Sequence, residues 1–261
     1  MDDRVKSCCA GFYELPLIQS LLGDQWHPGG PALTRKLASA VLIGRDSHLL
    51  DVASGSGESA RVLTQNFGCH VTGVDYSAEN CARANAMADE SGLTESIHFV
   101  EGDAEDLPFA ADTFDVVICE CSLCVFPSRS TALDEIRRVL RPGGRLGISD
   151  VVVNETVPLS LQDLFGQVLC IGGALSVVGY REAFAAAGFS SIRSRDASYA
   201  LNDMIERIER RARTIDKFFD GEVIELQPGW TVPRSTIGEA RKFVKTGGVG
   251  YALVTGRKPR D

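Results

Sequence analysis

Three carboxylates stand where short apolar runs of the sequence end, a placement that can bind a nucleoside. Asp51 lies within the run Leu49–Ala53, Asp75 ends the next run, and Asp103 follows a third. A carboxylate such as Asp75 can accept hydrogen bonds from ribose hydroxyls, and one such as Asp103 can accept from an adenine amino group. A carboxylate at Asp51 would repel a pyrophosphate, yet it suits a ligand that bears a cationic amine and a sulfonium.

The segment Cys119–Cys124, which reads CECSLC, brings thiols to the end of a predicted strand. Thiolates are soft ligands that select thiophilic ions. Three interpretations stay open: the thiols are small buried packing residues, they hold a thiophilic substrate, or they form a structural zinc or iron–sulfur site. A C-x-C-x-x-C spacing without a paired C-x-x-C departs from the usual zinc pattern, so we assign no metal ligands. Further thiols that could join the cluster are Cys8, Cys9 and Cys170.

Three other side chains have both a structural and a functional interpretation. Asp150 closes a predicted strand at the same edge as Cys119, where it can orient a substrate, act as a base or cap the next turn. His27 precedes Pro-Gly-Gly, so it either caps a turn or contacts substrate. Tyr13 either faces a bound cofactor or packs as an aromatic residue.

A strand, a glycine loop, a helix and a second strand must position these groups, and Leu49–Asp75 supplies them in that order. The first apolar run is typical of a parallel strand that is buried on both faces. Gly55 and Gly57 lack Cβ, so the chain can adopt unusual φ angles there and a ligand can approach the backbone. The helix and the second strand are predicted at Glu58–Asn66 and Cys69–Val74.

The rest of the chain alternates apolar runs with helical patterns, which predicts a doubly wound α/β sheet. The further predicted strands are Ile97–Glu101, Asp115–Ile118, Arg145–Ser149, Ser191–Ala197 and Tyr251–Thr255. The further predicted helices are Ala10–Leu22, Ala32–Val41, Ala78–Ser91, Ser130–Leu140, Leu159–Ala174, Tyr180–Ala187, Leu201–Phe219 and Ser235–Lys245. Residues Phe218–Val232 are predicted to form a loop or lid.

Five short motifs occur together in this chain. They are D-x-x-x-G-x-G at Asp51–Gly57, V-D-x-S at Val74–Ser77, G-D-A-x-x-L-P-F at Gly102–Phe109, F-D at Phe114-Asp115 and R-P-G-G at Arg141–Gly144. As a set they resemble the class I S-adenosylmethionine-dependent methyltransferases, in particular the ubiquinone/menaquinone-type branch. The resemblance is close over Ser47–Asp150 and loose in the flanks. Nicotinamide enzymes share the glycine loop, but the acids at 51 and 103 favour a methyltransferase.

The resemblance implies an α/β, doubly wound, Rossmann-like fold with a seven-stranded sheet, six strands parallel and the last antiparallel. It implies an N-terminal helical lid over residues 1–46 and a methyltransferase domain over 47–261. Within that domain, 47–150 would be the cofactor-binding core, and 151–261 would hold substrate-side helices, an insertion and the last strand. The implied cofactor is S-adenosyl-L-methionine, with candidate binding residues Asp51, Ala53, Gly55, Gly57, Asp75, Tyr76, Asp103, Ala104 and Cys119.

In this family the loop after the fourth strand faces the transferring methyl group. Cys119, Cys121 and Cys124 are therefore candidate acceptor-binding residues. A cysteine-rich loop here is similar to that of the arsenite methyltransferases, which hold trivalent arsenic in thiolates, although the cysteines of those enzymes are spread more widely along the chain. The resemblance thus implies a thiophilic metalloid acceptor.

Composition limits the partners. A net charge of −8 and the lack of a dense Lys/Arg stripe argue against nucleic acid. The start MDDRVKSCC lacks the apolar segment of a signal peptide, and no apolar run approaches the ~18 residues of a membrane span. We expect a cytoplasmic protein, a monomer or homodimer that acts on a small molecule, with most of its eight cysteines reduced.

Three functions remain open. The first is methyl transfer to a thiophilic metalloid such as arsenite, held by cysteines. The second is methyl transfer to carbon, oxygen or nitrogen of a small organic molecule, with structural cysteines. The third is a module that binds the cofactor or senses a metal without catalysis; the complete set of acids at 51, 75 and 103 argues against it.

Overall fold

The structure, a computed structural model, describes residues 2–23, 26–215, 223–227 and 230–260. A seven-stranded sheet forms its centre. The strands are β1 (His48–Val52), β2 (His70–Asp75), β3 (Ile97–Glu101), β4 (Phe114–Glu120), β5 (Leu140–Val153), β6 (Ser190–Asp196) and β9 (Val249–Arg257). Their order across the sheet is β3-β2-β1-β4-β5-β9-β6.

Strand directions confirm the predicted fold class. β1 pairs in parallel with β2 and β4, β2 with β3, and β4 with β5. β9 runs antiparallel to both of its neighbours, β5 and β6. Six strands are therefore parallel and the last is reversed, as the family resemblance implied. Parallel neighbours need crossover connections, which explains why helices separate the strands in sequence.

Helices cover both faces of the sheet, and successive strand residues divide between them. Leu49 packs in a cluster with residues of α3 (Gly30–Ala40), α4 (Glu58–Phe67) and α5 (Ala78–Glu90). Leu50 packs on the opposite face with residues of α6 (Arg129–Val139) and α8 (Val177–Ala186). Both leucines are fully buried, which contributes about 1.5–3 kcal/mol each. This double burial is why β1 reads as a continuous apolar run.

The predicted continuous helix Ala10–Leu22 is wrong. The chain instead forms α1 (Asp2–Glu14) and α2 (Pro16–Leu22), with Leu15 extended between them at φ −62° and ψ 126°. Proline clashes with a helical residue before it and lacks an N–H, so the first helix must end there. The N-terminal segment therefore consists of two helices that are separated by the extended residue Leu15.

The apolar stretch Leu159–Ala174, predicted as one helix, is also broken. It contains a 3-10 turn at Leu159–Leu161, α7 (Leu164–Val168) and a left-handed residue, Cys170, at φ +61°. A Cβ on Gly173 would lie 2.0 Å from the carbonyl oxygen of Cys124. Glycine thus permits close packing of this segment on the loop after β4, and burial rather than helicity explains its apolar composition.

The insertion between β6 and β9 holds α9 (Ser198–Ile215) and α10 (Arg234–Lys245). The loop predicted at Phe218–Val232 is wrong in part, because β7 (Val223–Gln227) and β8 (Trp230–Pro233) form an antiparallel hairpin. Residues 216–222, 228 and 229 lie outside the described part. β5 also begins earlier than predicted, so R-P-G-G lies inside the strand. No helix in the described ranges combines the length and hydropathy needed to cross a membrane.

Candidate active site

A cavity opens at the carboxyl edge of the sheet, where β1, β2 and β4 end. α1 and the loop before α3 contribute Lys6, Tyr13, Trp26 and His27 to its walls. Most of the predicted cofactor-binding residues border it, namely Asp51, Ala53, Gly55, Asp75, Tyr76, Asp103 and Ala104. Gly57 and Cys119 do not, and of the candidate acceptor residues only Cys121 does.

Asp51 is almost fully buried at the end of β1, and within the described residues its Oδ2 has no hydrogen-bond partner. Burial raises the pKa of this carboxyl well above its ordinary value, and the nearby charges of Glu120 and Asp75 raise it further. An unpartnered buried carboxylate oxygen is costly. A cationic group in the cavity would relieve both the missing bond and the repulsion.

Asp75, at the end of β2, holds the glycine loop in place. Its Oδ2 accepts from the N–H of Gly55 at 2.8 Å, and its Oδ1 accepts from the N–H of Ser77 at 3.0 Å and the amide of Asn80 at 3.2 Å. Burial raises the pKa of Asp75, although these hydrogen bonds oppose the rise. The carboxylate is therefore rigid and directed at the cavity edge.

The loop after β1 turns through left-handed backbone at Ala53 (φ +58°), Gly55 (φ +53°) and Gly57 (φ +80°). Gly57 has a second reason to be glycine: a Cβ there would lie 2.6 Å from the ring of Phe99. Gly57 therefore allows the loop to pack closely against β3, and it does not border the cavity. The loop can thus approach a ligand with backbone atoms alone.

Asp103 follows β3 and faces α1. Its Oδ2 lies 2.6 Å from Nζ of Lys6, which also contacts Oε2 of Glu105 at 2.7 Å. Oδ1 of Asp103 accepts from the N–H of Glu105 at 2.9 Å. The N-terminal helix is therefore tied to the loop that carries the third acid.

The cysteines do not group as C-x-C-x-x-C. The side chain of Cys119 is fully buried in the apolar cluster on the far face of the sheet, away from Cys121 and Cys124. Alternation along a strand would place Cys121 on the same face as Cys119. β4 ends at Glu120, however, and Cys121 has left-handed backbone (φ +57°), so the chain turns there and its side chain leaves that face. The side chains of Cys8 and Cys9 lie outside the described part.

Cys121 instead lies beside Cys170, with the two sulfurs 3.9 Å apart. Its hydrogen bond with Cys170, and then burial, raise the pKa of Cys121 well above the ordinary thiol value; burial does the same for Cys124. These groups are neutral thiols at neutral pH. Among the described residues, no group of three or more His, Cys, Asp or Glu side chains is arranged to hold a metal ion.

Asp150 has the structural role that the sequence left open. Its Oδ2 accepts from the N–H of Cys124 at 2.9 Å and its Oδ1 from the N–H of Val151 at 2.8 Å. Burial raises its pKa to about 6. The residue does not border the cavity, so it caps the turn after β4.

Sequence reasoning missed the role of Glu120, the last residue of β4. Its Oε2 accepts from the hydroxyls of Ser59 at 2.7 Å and Thr34 at 2.9 Å, and its Oε1 accepts from Ser149 at 3.2 Å. Nε2 of His27 lies 3.7 Å from Oε2. The one feature of the sequence that could have indicated this role is the presence of an acidic residue at the end of an otherwise apolar strand.

The sheet, with its reversed strand β9, defines a doubly wound α/β protein whose carboxyl edge can bind a nucleoside, and the comparisons agree. The protein-family model described as a methyltransferase domain matches residues 50–148. The 27-O-demethylrifamycin SV methyltransferase of Amycolatopsis mediterranei (strain S699) is 30% identical, over 93% of this chain and 93% of its own.

Solved structures are similar too. The crystal structure of the cyclase SpnF has a TM-score of 0.77 and 25% identity, and the match covers 97% of this chain and 96% of that one. Phosphoethanolamine N-methyltransferase 2 of Haemonchus contortus, in complex with S-adenosyl-L-methionine, has a TM-score of 0.75 and 20% identity over 98% of this chain and 59% of that one. This chain belongs to the class I methyltransferase family, and it is an S-adenosylmethionine-dependent methyltransferase.

The residues present fit that cofactor. Oδ2 of Asp51 and Oγ of Ser54 are buried polar atoms that border the cavity and make no hydrogen bond within the described part. A carboxylate oxygen suits the cationic amine of S-adenosylmethionine, and a hydroxyl suits its carboxylate. Both atoms would gain the partners they lack.

Proposed function

We propose that the enzyme methylates a small organic molecule, with the cofactor held by the residues that the motifs indicated. In this proposal Asp51 binds the amine, Asp75 the ribose hydroxyls, and Asp103 and Ala104 the adenine. The turn of Ala53, Gly55 and Gly57 lets the backbone approach the ligand, and Tyr76 covers it. Any contribution of Cys119 comes from its backbone, since its side chain is buried on the other face.

The observation that carries the proposal is the composition of one cavity wall. The end of β4 and the loop after it supply Glu120, Cys121, Ser122, Val125 and Phe126, next to the acids that would hold the cofactor. This wall combines apolar area with a few polar groups, as pockets for small organic ligands do. The name of the Amycolatopsis relative, a methyltransferase of 27-O-demethylrifamycin SV, supports an organic acceptor.

The bound cofactor supplies a methyl group on a sulfonium, which is already an activated leaving group. The protein must then align the acceptor and exclude water. We propose that residues 1–46 form the lid that does so, because α1 contributes Lys6, Ala10 and Tyr13 to the cavity wall. In the lid, the ring of Tyr13 stacks on Trp26, with centroids 6.2 Å apart. Residues 47–150 would form the cofactor-binding core and 151–261 the substrate side.

A metalloid acceptor is the second candidate, and the sulfur pair Cys121 and Cys170 favours it. Their separation of 3.9 Å suits a shared thiophilic ligand. Against it, Cys121 borders the cavity but Cys170 does not, and the raised pKa values of both thiols keep thiolates scarce. The organic acceptor is therefore the better supported of the two.

The test is S-adenosylhomocysteine formation by reduced, metal-free protein. Phenols, aliphatic alcohols, amines and thiols are offered in one set of reactions, and arsenite in another. Product with an organic acceptor that survives Cys121→Ser supports the proposal. Product that requires arsenite and is lost in Cys121→Ser would replace it with the metalloid function. Asp51→Asn, which removes the charge we assign to cofactor binding, is the matched negative control in both sets.

Three narrower expectations stay predictions. Membership of the ubiquinone/menaquinone-type branch, a cytoplasmic location and a monomeric or homodimeric state each await a direct measurement. Light scattering of the purified protein measures the last.

A further inference from the structure

The ring of His27 is fixed by contacts at both nitrogens. Nδ1 lies 3.1 Å from the carbonyl oxygen of Pro28. A carbonyl oxygen only accepts hydrogen bonds, so in the neutral ring this contact assigns the hydrogen to Nδ1 and leaves Nε2 as an acceptor. The side chain is 13% exposed and borders the cavity.

The hydroxyls nearest Nε2 have already given their hydrogens to Glu120. Nε2 lies 3.3 Å from Oγ1 of Thr34 and 3.4 Å from Oγ of Ser59. Each hydroxyl is closer to Oε2 of Glu120, at 2.9 Å for Thr34 and 2.7 Å for Ser59. A hydroxyl has one hydrogen to donate. The lone pair of Nε2 is thus left for a donor that enters the cavity.

Glu120 is suited to stabilise a protonated ring. Its side chain is buried, and the three hydroxyls of Thr34, Ser59 and Ser149 donate to it. Such hydrogen bonds favour the charged carboxylate. After Nε2 gains a proton, the imidazolium lies 3.7 Å from Oε2, and the oxygens of Thr34 and Ser59 can accept from the new N–H.

We propose that His27 is the general base of the reaction and that the acceptor is therefore a hydroxyl; this rests on the proposed function. Nε2 takes the hydroxyl proton as the oxygen forms its bond to the methyl carbon. The carbon–sulfur bond breaks with its electron pair remaining on sulfur. Glu120 is a positioning residue, because it acts through His27. A neutral amine reacts through its free lone pair, so it would not need a base at the moment of transfer, whereas a hydroxyl does.

Other charged groups around the cavity are engaged elsewhere. Glu58 pairs with Arg61 at 2.6 Å, and Lys6 pairs with Asp103. Asp51 faces Glu120 and would meet the cofactor amine. Because Glu120 lies 3.7 Å from His27, the pH dependence of turnover must be compared in variants of both histidine and glutamate.

The first experiment needs no acceptor. Nitrogen-15 NMR of the S-adenosylhomocysteine-bound protein reports which ring nitrogen of His27 carries the hydrogen, and His27→Gln assigns the signal. The chain has four histidines, so His48, His70 and His98 serve as internal references. A neutral ring with hydrogen on Nδ1 is expected. A neutral ring with hydrogen on Nε2 would overturn the proposal.

The second experiment measures kcat and KM with phenol and with 4-nitrophenol, which is largely ionised at mildly alkaline pH. His27→Gln should lower kcat on phenol by about 10²–10⁴-fold, lower it far less on 4-nitrophenol, and leave cofactor affinity unchanged. Glu120→Gln should lower kcat with little change in KM, and its kcat should still fall toward acidic pH. His27→Gln should lose that fall in kcat. His98→Gln, an exposed histidine, should match the parent protein.

The outcomes separate the two proposals. Turnover of phenol that survives His27→Gln would overturn the assignment of the base and leave the organic acceptor intact. Turnover confined to amines or carbon acid substrates would overturn the hydroxyl acceptor and leave the organic acceptor intact. Product formed only with arsenite would overturn both proposals, because the hydroxyl acceptor depends on the organic acceptor.

Discussion

Nζ of Lys6 on α1 lies 2.6 Å from Oδ2 of Asp103 after β3, so an ion pair connects the N-terminal segment to the third acid of the proposed cofactor site. The ammonium is mostly enclosed, with 11% of the side chain exposed, while the carboxylate is 30% exposed. We assign Asp103 to the adenine, so Lys6 and the cofactor share one carboxylate. Closure of the segment and retention of the cofactor should therefore be linked.

Lys6→Met should release the cofactor faster. An ion pair of this exposure contributes up to about 1 kcal/mol, which corresponds to a ~2–5-fold increase in dissociation rate. Stopped-flow fluorescence can measure it, because Trp26 borders the cavity. Lys36→Met is the matched control, since Lys36 contacts Tyr199 on the exposed surface. Equal rates in Lys6→Met and the parent protein would contradict the link.

Asp51→Asn should weaken S-adenosylmethionine binding by about ten- to a hundredfold, the value of a hydrogen bond to a charged group. Burial, Glu120 and Asp75 raise the pKa of Asp51 in the free protein, whereas a bound amine favours the carboxylate. Binding thus releases a proton, and Kd falls as pH rises toward that raised pKa. Calorimetry in two buffers of different ionisation enthalpy measures the release.

That proton release should be absent from Asp51→Asn. Asp89→Asn, on the exposed end of α5, should bind like the parent protein. Proton uptake on binding, or an affinity that weakens as pH rises, would show that Asp51 does not meet the amine.

Asp150 should make the protein less stable as pH rises from about 4 to 6. Burial raises its pKa from 3.8 to about 6, so folding favours the protonated form. The stabilising contribution of Asp150 is fully present below its pKa in the unfolded chain and is lost as pH rises through its pKa in the folded protein. The total change in the free energy of unfolding is roughly 3 kcal/mol. Denaturant unfolding of Asp150→Asn should lack this slope, whatever its absolute stability. An identical slope in both proteins would refute the assignment.

Gly73→Ala should destabilise the fold by about 1–3 kcal/mol through overpacking. A Cβ at Gly73 would lie 2.1 Å from the ring of Phe99, which also covers Gly57. Gly238→Ala is the matched control, because nothing lies within 4 Å of a Cβ there. In helix α10 that alanine should stabilise by about 1 kcal/mol. Thermal unfolding compares the two, and equal shifts would contradict the packing argument.

The sheet was largely predictable because strands that are buried on both faces leave continuous apolar runs. β3 was predicted at its observed bounds, and β1 and β2 within a residue. The segments at 10–22 and 159–174 were not, since the helical pattern there was interrupted by Pro16 and by glycines that admit neighbouring backbone. A hydropathy pattern records burial, and it does not record such close approaches.

The candidate site, too, could be predicted from the sequence only in part. The three acids lie at or just after the ends of their strands, so local sequence predicts that they meet at one edge. Glu120 meets His27, Thr34 and Ser59 only after β4, α3 and α4 pack. The cysteine spacing misled because the chain turns at Cys121, directly after β4, which separates its side chain from that of Cys119. The partner of Cys121 is the distant Cys170.

The place of β9 in the sheet has a consequence for biosynthesis. β9 begins at Val249, more than fifty residues after β6 ends at Asp196, yet it lies between β5 and β6. β6 is at the sheet edge and pairs with β9. On the ribosome, β1 to β5 can assemble while β6 waits without a partner. β9 and β6 can therefore join the sheet only after the segment that carries Asp51, Asp75 and Asp103 has been synthesised.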